Sequence, residues 1–260
     1  MGPLERTRPL EGLLVAIAFA LGAFVQTIAG FGSALVAIPL ATLVISVRTA
    51  APAQALMGFV VTLSVLHQNR HGLRWREAGR LIAGSLFGVP LGALMLKSFP
   101  SGLVTGGMGI MLFAYGLWLV RANLDAEDTS QTPERGWRPM LGAAAIGWVA
   151  GILGGAYATD GPPLIMYGAY KRWPKATFKS VLQCCFLVNG ISMVVWHGAN
   201  GLITADVVRA SLFALPGAIV GTLAGRYADR FIDHERFQRL MRILILTLGI
   251  VLFGQAFRSL

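Results

Sequence analysis

The sequence predicts an all-α polytopic membrane protein built as two inverted repeats, each a glycine- and proline-broken helical hairpin followed by three transmembrane helices. Three observations carry that prediction: a shortage of charge, a row of uncharged stretches of membrane length, and a weak duplication of one half in the other. Of 260 residues, 55% are hydrophobic and 13% charged, against about 25% charged in an ordinary soluble domain. The deficit points to lipid as the solvent. A hydrocarbon core of about 30 Å takes roughly 20 apolar residues per helix. Stretches of that order lie between Glu11 and Val47, Thr49 and Val65, Leu81 and Leu96, Ser98 and Val120, Met140 and Tyr170, Phe186 and Ala205, and Ile243 and Phe257.

Net charge is +10, which in a soluble chain would suggest nucleic acid. Here the basic residues fall between apolar runs, where topology and anionic headgroups call for them. No nucleic-acid partner is expected. Cys184 and Cys185 are adjacent in an apolar stretch, unlike a disulfide framework or a zinc site. Arg6 and Arg8 ahead of Ala18-Phe-Ala20 superficially resemble a signal peptide, but the apolar run continues to Val47, so the first segment is expected to stay.

The first repeat, residues 1–121, opens with a break at Gln26-Thr-Ile-Ala-Gly30-Phe-Gly32-Ser33, followed by an apolar helix through Pro39. A polar linker over 122–139, with Asp125, Glu127, Asp128 and Glu134, leads into the second repeat, 140–260. Its break reads Gly154-Gly155-Ala-Tyr157-Ala-Thr159-Asp160-Gly161-Pro162-Pro163. The arm from Met140 to Gly154 is expected to be too short to cross, which suits a re-entrant hairpin. His71-Gly72 matches His197-Gly198 and Ser85-Leu86-Phe87 matches Ser211-Leu212-Phe213 at one common offset, while Gly30 and Pro39-Leu40 match Gly154 and Pro163-Leu164 at a nearby one.

Charge decides the handedness of the repeat. If each broken segment crosses once, the 22 basic residues divide evenly between the two sides. If each returns to the side it entered, they divide sixteen to six, which is what the positive-inside rule expects. Hairpins are therefore preferred, and the repeats are inverted. The loops at 70–80, 121–138, 171–179 and 226–242 are then cytoplasmic and both termini lie outside the cytoplasm of a bacterial inner membrane. The basic stretch from Arg226 to Arg242, with Tyr227, Phe231 and Phe237 interleaved, reads as an interfacial helix.

Inverted repeats with broken helices are a recurrent plan of secondary transporters, whose site lies near the midplane. Thr159-Asp160-Gly161-Pro162 has the cap and proline of a helix start. A helix start carries free N–H groups and the positive end of the dipole, which favour an anion. The bland alternative is that the glycines only let helices pack closely. Asp160 is an acid inside an apolar stretch and the candidate for proton coupling, although a plain cap is the competing reading. Lys179 and Gln183 share a helix face four residues apart; snorkelling competes for the lysine. Gln54, Ser64 and Asn189 are further intramembrane polar residues; for Ser64 and Asn189 helix-packing bonds compete. His71 and His197 lie at span ends, and the four scattered histidines 67, 71, 197 and 234 make no metal cluster.

On Gly30-Phe-Gly32 with Pro39, Gly154-Gly155 with Pro162-Pro163-Leu164, and Phe178-Lys179 with Gln183, the chain resembles the TauE/SafE family of sulfite-exporter-like permeases from about Leu13 to Phe257. The resemblance implies transport of sulfite, sulfonates or related small sulfur-containing anions. The expected substrate site comprises Gly30, Phe31, Gly32, Ser33, Gln54, Tyr157, Thr159, Asp160, Gly161, Lys179, Gln183 and Asn189.

Expected partners are a small anion, the bilayer, a coupling ion (proton or sodium) and a second copy of the chain; no cofactor or metal is expected. The alternatives are an accessory or scaffolding subunit, and a carrier of a cation or neutral solute. An enzyme is set aside because no Ser/His/Asp, Cys/His or metal-ligand arrangement stands at a useful spacing. An ATPase is set aside because the phosphate-cradling loop is missing.

Overall fold

A computed structural model describes residues 9–121, 137–231, 243–248 and 250. Its helices are α1 (Pro9–Ala29), α2 (Ser33–Ala41), α3 (Val47–Asn69), α4 (Trp75–Ser98), α5 (Ser101–Arg121), α6 (Trp137–Tyr157), α7 (Gly161–Tyr170), α8 (Lys175–Ala199) and α9 (Ala205–Ala228), with a 3-10 turn at Arg70–Gly72. Residues 243–248 are helical too, and no strand occurs among the described residues. Seven helices are long and apolar enough to cross a membrane, all but α2 and α7. These two have 9 and 10 residues and reach only about 15 Å. Each half thus opens with a long helix answered by a short one, as predicted. Most of the linker lies outside the described residues, as does most of the basic stretch from 226 to 242; α6 begins at Trp137, inside the span read as linker.

Leu13, Phe87, Leu103, Ile110, Val195 and Leu212 are each more than half exposed along the spans. Apolar surface of that extent is an aggregation liability in water and ordinary in lipid. The chain is a multi-pass membrane protein.

One expectation is corrected. The arm ahead of the second break does not stop at Gly154: α6 has 21 residues, about 31 Å of helix, long enough to cross. Gly154 and Gly155 stay helical because α4 lies against them; a Cβ on Gly155 would overlap the backbone of Val89 and Ala93. Close approach outweighs the roughly 1 kcal/mol that glycine costs in a helix. The 24-residue α9 is one of the three spans expected after the second break; Asp206 and Arg209 sit in its first turns, 3.9 Å apart.

The closest pairings are α4 with α6 and α1 with α9. Gly84, Gly88 and Gly92 press on the backbone at Ala144, Trp148 and Ile152, and Gly147, Gly151 and Gly155 on Leu81, Ser85 and Val89. Both series rise together, so α4 and α6 run in the same direction. Likewise Gly217, Gly221 and Gly225 rise against Ala16, Ala20 and Phe24, so α1 and α9 are parallel. Small residues every fourth position allow this approach. Between the pairs, α3 packs on α8 and α9, and α8 packs on α3 and α4. Exchanging the halves maps these pairings onto one another.

The helix ends form two groups. Glu11, Ser46, Asp206 and Arg209 surround one groove, so α1, α3 and α9 start at the same end. Arg48 also belongs there, donating to the Leu96, Lys97 and Phe99 carbonyls at the end of α4. At the opposite end, Gly72 lies against Ala176 and Thr177 at the start of α8.

Candidate functional site

The first break turns on two glycines in the left-handed region, Gly30 at φ 83° and Gly32 at φ 100°, a conformation open to glycine at no steric cost. Its freed carbonyls are met from α8. Gln183 Nε2 donates to Gly30 O at 2.6 Å and Lys179 Nζ to Ile28 O at 3.1 Å. Gln183 Oε1 in turn accepts from Gln26 Nε2 at 3.1 Å, which also reaches Thr62 Oγ1 at 3.4 Å. Beyond the break, Gln54 Nε2 donates to Ser33 Oγ at 2.7 Å, and no side chain caps α2.

The second break turns on Ala158 at φ 47°, which costs an L-residue about 1–2 kcal/mol. The bond from Thr159 N–H back to Leu153 O, at 3.4 Å, closes α6 in the manner of a left-handed C-terminal cap. Thr159 Oγ1 donates to Tyr157 O at 2.9 Å, and His197 Nε2 lies 2.8 Å from Gly155 O. Asp160 occupies the cap position of α7 without making a side-chain cap bond. Its Oδ2 instead accepts from Asn189 Nδ2 at 2.7 Å, and Ser85 Oγ donates to Asn189 Oδ1 at 2.5 Å.

Both breaks open on one cavity of about 60 Å³. By that measure a single water takes about 10–15 Å³, so the space suits a few waters or one small solute. Its polar wall is Gln26, Ser33, Gln54, Thr62, Thr159 and Asp160; Phe59, Phe186 and Met193 form the apolar wall. No lysine or arginine is among the lining residues.

The first four N–H groups of a helix, counted from its cap, have no partner within it. In α2 these belong to Gly32, Ser33, Ala34 and Leu35, all of which line the cavity. In α7 they belong to Asp160 and Gly161 only, because Pro162 and Pro163 have no N–H. The two helix starts thus present unequal sets of donors.

Of the residues expected from the sequence, Gly32, Ser33, Gln54, Thr159, Asp160 and Gly161 line the cavity. Lys179 and Gln183 hold the first break from outside the cavity wall, and Asn189 backs Asp160. Gly30 forms the turn itself. Phe31 packs edge-on against Phe178, and the Tyr157 hydroxyl points to Gly107 of α5. Ser64 accepts from Gln68 on its own helix, and His197 is fully buried while His71 is exposed. Gln26 and Thr62 line the cavity and were not anticipated; their signal, a polar side chain inside an apolar helix, is the one that marked Gln54. Phe59, Phe186 and Met193 carried no such signal.

Residues 14–252 match the family described as Sulfite exporter TauE/SafE. No curated protein and no solved structure matches the chain.

Proposed function

Because the chain belongs to the sulfite exporter TauE/SafE family of membrane transporters, we propose that it carries a small sulfur-containing anion, sulfite or a sulfonate, through the cavity between α2 and α7. One observation carries this reading: helix starts from both halves of the chain converge on that cavity, and free backbone N–H groups hold an anion without a buried cation.

The halves are read as inverted repeats. The support is that α1 and α3 start at one end, α4 returns from the other, and α6 runs parallel to α4; the first helices of the two halves then run in opposite senses. Such a pair of broken repeats rocks about a fixed site to give alternating access. The end carrying Arg70 to Arg80 and Lys171 to Lys179 is assigned to the cytoplasm of a bacterial inner membrane, which leaves both termini on the other face.

Two experiments test the proposal. Purified protein in liposomes is expected to take up labelled sulfite or a short alkanesulfonate saturably, and a ligand of the native state is expected to raise its melting temperature. Gly58→Leu should abolish that flux while the protein stays folded, because Gly58 lines the cavity and a Cβ there meets nothing nearer than Gln54 Nε2 at 3.9 Å. Absence of flux for every sulfur oxyanion and sulfonate would sink the substrate class. For topology, cysteines placed at Lys97 and Arg209 should label from outside whole cells, and cysteines at Arg76 and Lys175 should not; the reverse pattern rejects the orientation.

A further inference from the structure

Asp160, Asn189 and Ser85 come from the start of α7, the middle of α8 and the middle of α4, and form one chain of hydrogen bonds. Asp160 is 6% exposed in the cavity wall, Asn189 is fully buried and Ser85 is 1% exposed. Asn189 stands 2.7 Å from Asp160 Oδ2 through Nδ2 and 2.5 Å from Ser85 Oγ through Oδ1; Ser85 Oγ is also 3.0 Å from Ile82 O. A hydroxyl has one proton, so Ser85 serves the Asn189 oxygen or the Ile82 oxygen, but not both at once. A side-chain amide has nearly the same shape after a half turn that exchanges its oxygen and nitrogen.

Together these facts allow two complete arrangements on one set of heavy-atom positions. With Asp160 ionised, Ser85 gives its proton to Asn189 Oδ1 and Asn189 gives one to the carboxylate. With Asp160 protonated, the acid gives its proton to the Asn189 oxygen, now turned toward it. Asn189 then donates to Ser85 Oγ, and Ser85 to Ile82 O. No member of the chain lacks a partner in either state, which is the requirement for a buried polar network.

We propose that Ser85, Asn189 and Asp160 form a proton-binding site wired for both protonation states, and that one proton enters on Asp160 with each anion. The coupling half of this inference rests on the proposed transport function. A lone ionised carboxylate in a wall without lysine or arginine repels an anion held at the same helix starts; protonation removes that repulsion. The proton comes from water in the cavity, rests on a carboxylate oxygen, and leaves with the anion on the other side; no bond of the solute changes.

The other titratable groups nearby are engaged elsewhere or lie on other contacts. On α8, His197 is on Gly155 O, Lys179 is on Ile28 O, Cys184 is a buried thiol, and Cys185 is a buried thiol set on Ala78 O that also lies within electrostatic reach of Asp160. On α6, the Tyr157 hydroxyl faces Gly107; on α4, Glu77 is bridged to Arg80 at 3.1 Å. From α1, α2 and α3 the cavity receives Gln26, Ser33, Gln54 and Thr62, none of which titrates.

The test is infrared pH-difference spectroscopy on the full chain in lipid vesicles, with the proton as the only ligand. A carboxylic-acid C=O band should appear on acidification and be missing from Asp160→Asn; [13C]aspartate labelling assigns the band if that variant does not fold. A side-chain amide shift should accompany it and vanish in Asn189→Leu. That variant should also bind the proton about tenfold more tightly, because it strips a charge-assisted bond from the ionised form and a weaker neutral one from the acid. An acid band without the amide shift, or no Asp160 band at any pH, overturns the switch. Methanesulfonate, whose charge is independent of pH, is then added in weak buffer with an indicator dye. Uptake of one proton per bound anion supports coupling, and binding without uptake overturns it. Silence toward methanesulfonate with the switch intact faults the anion reading of the cavity and leaves the switch standing.

Discussion

At the first break the chain turns on Gly30 and Gly32, and α8 meets the freed carbonyls with an amide and an ammonium. At the second it turns on Ala158 ahead of Pro162 and Pro163, and α8 supplies Asn189 and His197. The first break offers the N–H groups at the start of α2 and no charge to the cavity; the second offers those of Asp160 and Gly161 beside a carboxylate that the Asp160 N–H itself engages. Repetition therefore reproduces the bends without reproducing their chemistry. On the proposed reading, α2 does most of the anion binding and the start of α7 carries the proton. A two-fold plan then supplies two hinges, and their divergence supplies two ligands.

The largest expected effect that separates the breaks is Gln183→Leu. It strands the buried Gly30 carbonyl and removes the shorter of the two contacts of Gln26. Each buried polar group left alone costs about 1–3 kcal/mol, so a loss of about 2–4 kcal/mol is expected in thermal unfolding of the purified protein. His197→Phe at the second break strands one buried carbonyl, Gly155 O, and takes no second side-chain contact with it, for a loss of about 1–2 kcal/mol. Equal losses for the two variants would mean that α8 braces both breaks alike and would dissolve the contrast.

A smaller effect, of opposite tendency at the two breaks, is expected from the turn residues. Gly30→Ala forces a side chain into the left-handed region and brings its Cβ to 2.7 Å from Lys179 Cγ, for a cost of about 1–2 kcal/mol before any shift of the lysine. Ala158→Gly relieves that strain at the second break but loosens the unfolded chain by about 0.4–1 kcal/mol. The net change is expected to be near zero or slightly stabilising, read as the shift in unfolding midpoint. Should Ala158→Gly prove the more damaging of the two, the left-handed turn at the second break is held by something other than backbone geometry.

What could be read in the sequence, and what could not, follows the same division between local and distant causes. Thr159-Asp160-Gly161-Pro162 announced a helix start because caps and prolines act within one turn, and α7 does begin at Gly161 with Asp160 at its cap. Gly154-Gly155 misled for that very reason. Taken locally they break a helix, but the approach of α4 keeps them in one. The span α9 does not stand out as an uncharged stretch of its own, and it was legible through the repeat, in which Ser211-Leu212-Phe213 answers Ser85-Leu86-Phe87 of α4. That Gln183 meets Gly30, or that Asn189 stands between Asp160 and Ser85, depends on which helices become neighbours, and nothing near those residues in the chain records it.

Lys179→Met has the smallest expected effect and decides between two readings of the same residue. From the sequence, Lys179 is read either as an anion ligand on the face of α8 or as a snorkelling lysine. Its ammonium instead rests on Ile28 O, and its stem packs at Gly30. Methionine keeps most of that stem and gives up one hydrogen bond to a carbonyl at the end of α1, a loss of about 1 kcal/mol or less. Flux in liposomes should then show KM changed by no more than a few-fold, with a small drop in melting temperature. If the lysine contacts the anion during transport, the lost charge should raise KM at least tenfold and leave the melting temperature nearly unchanged. That outcome would move cationic recognition to the first break and give it the charge that its cavity wall lacks in this conformation.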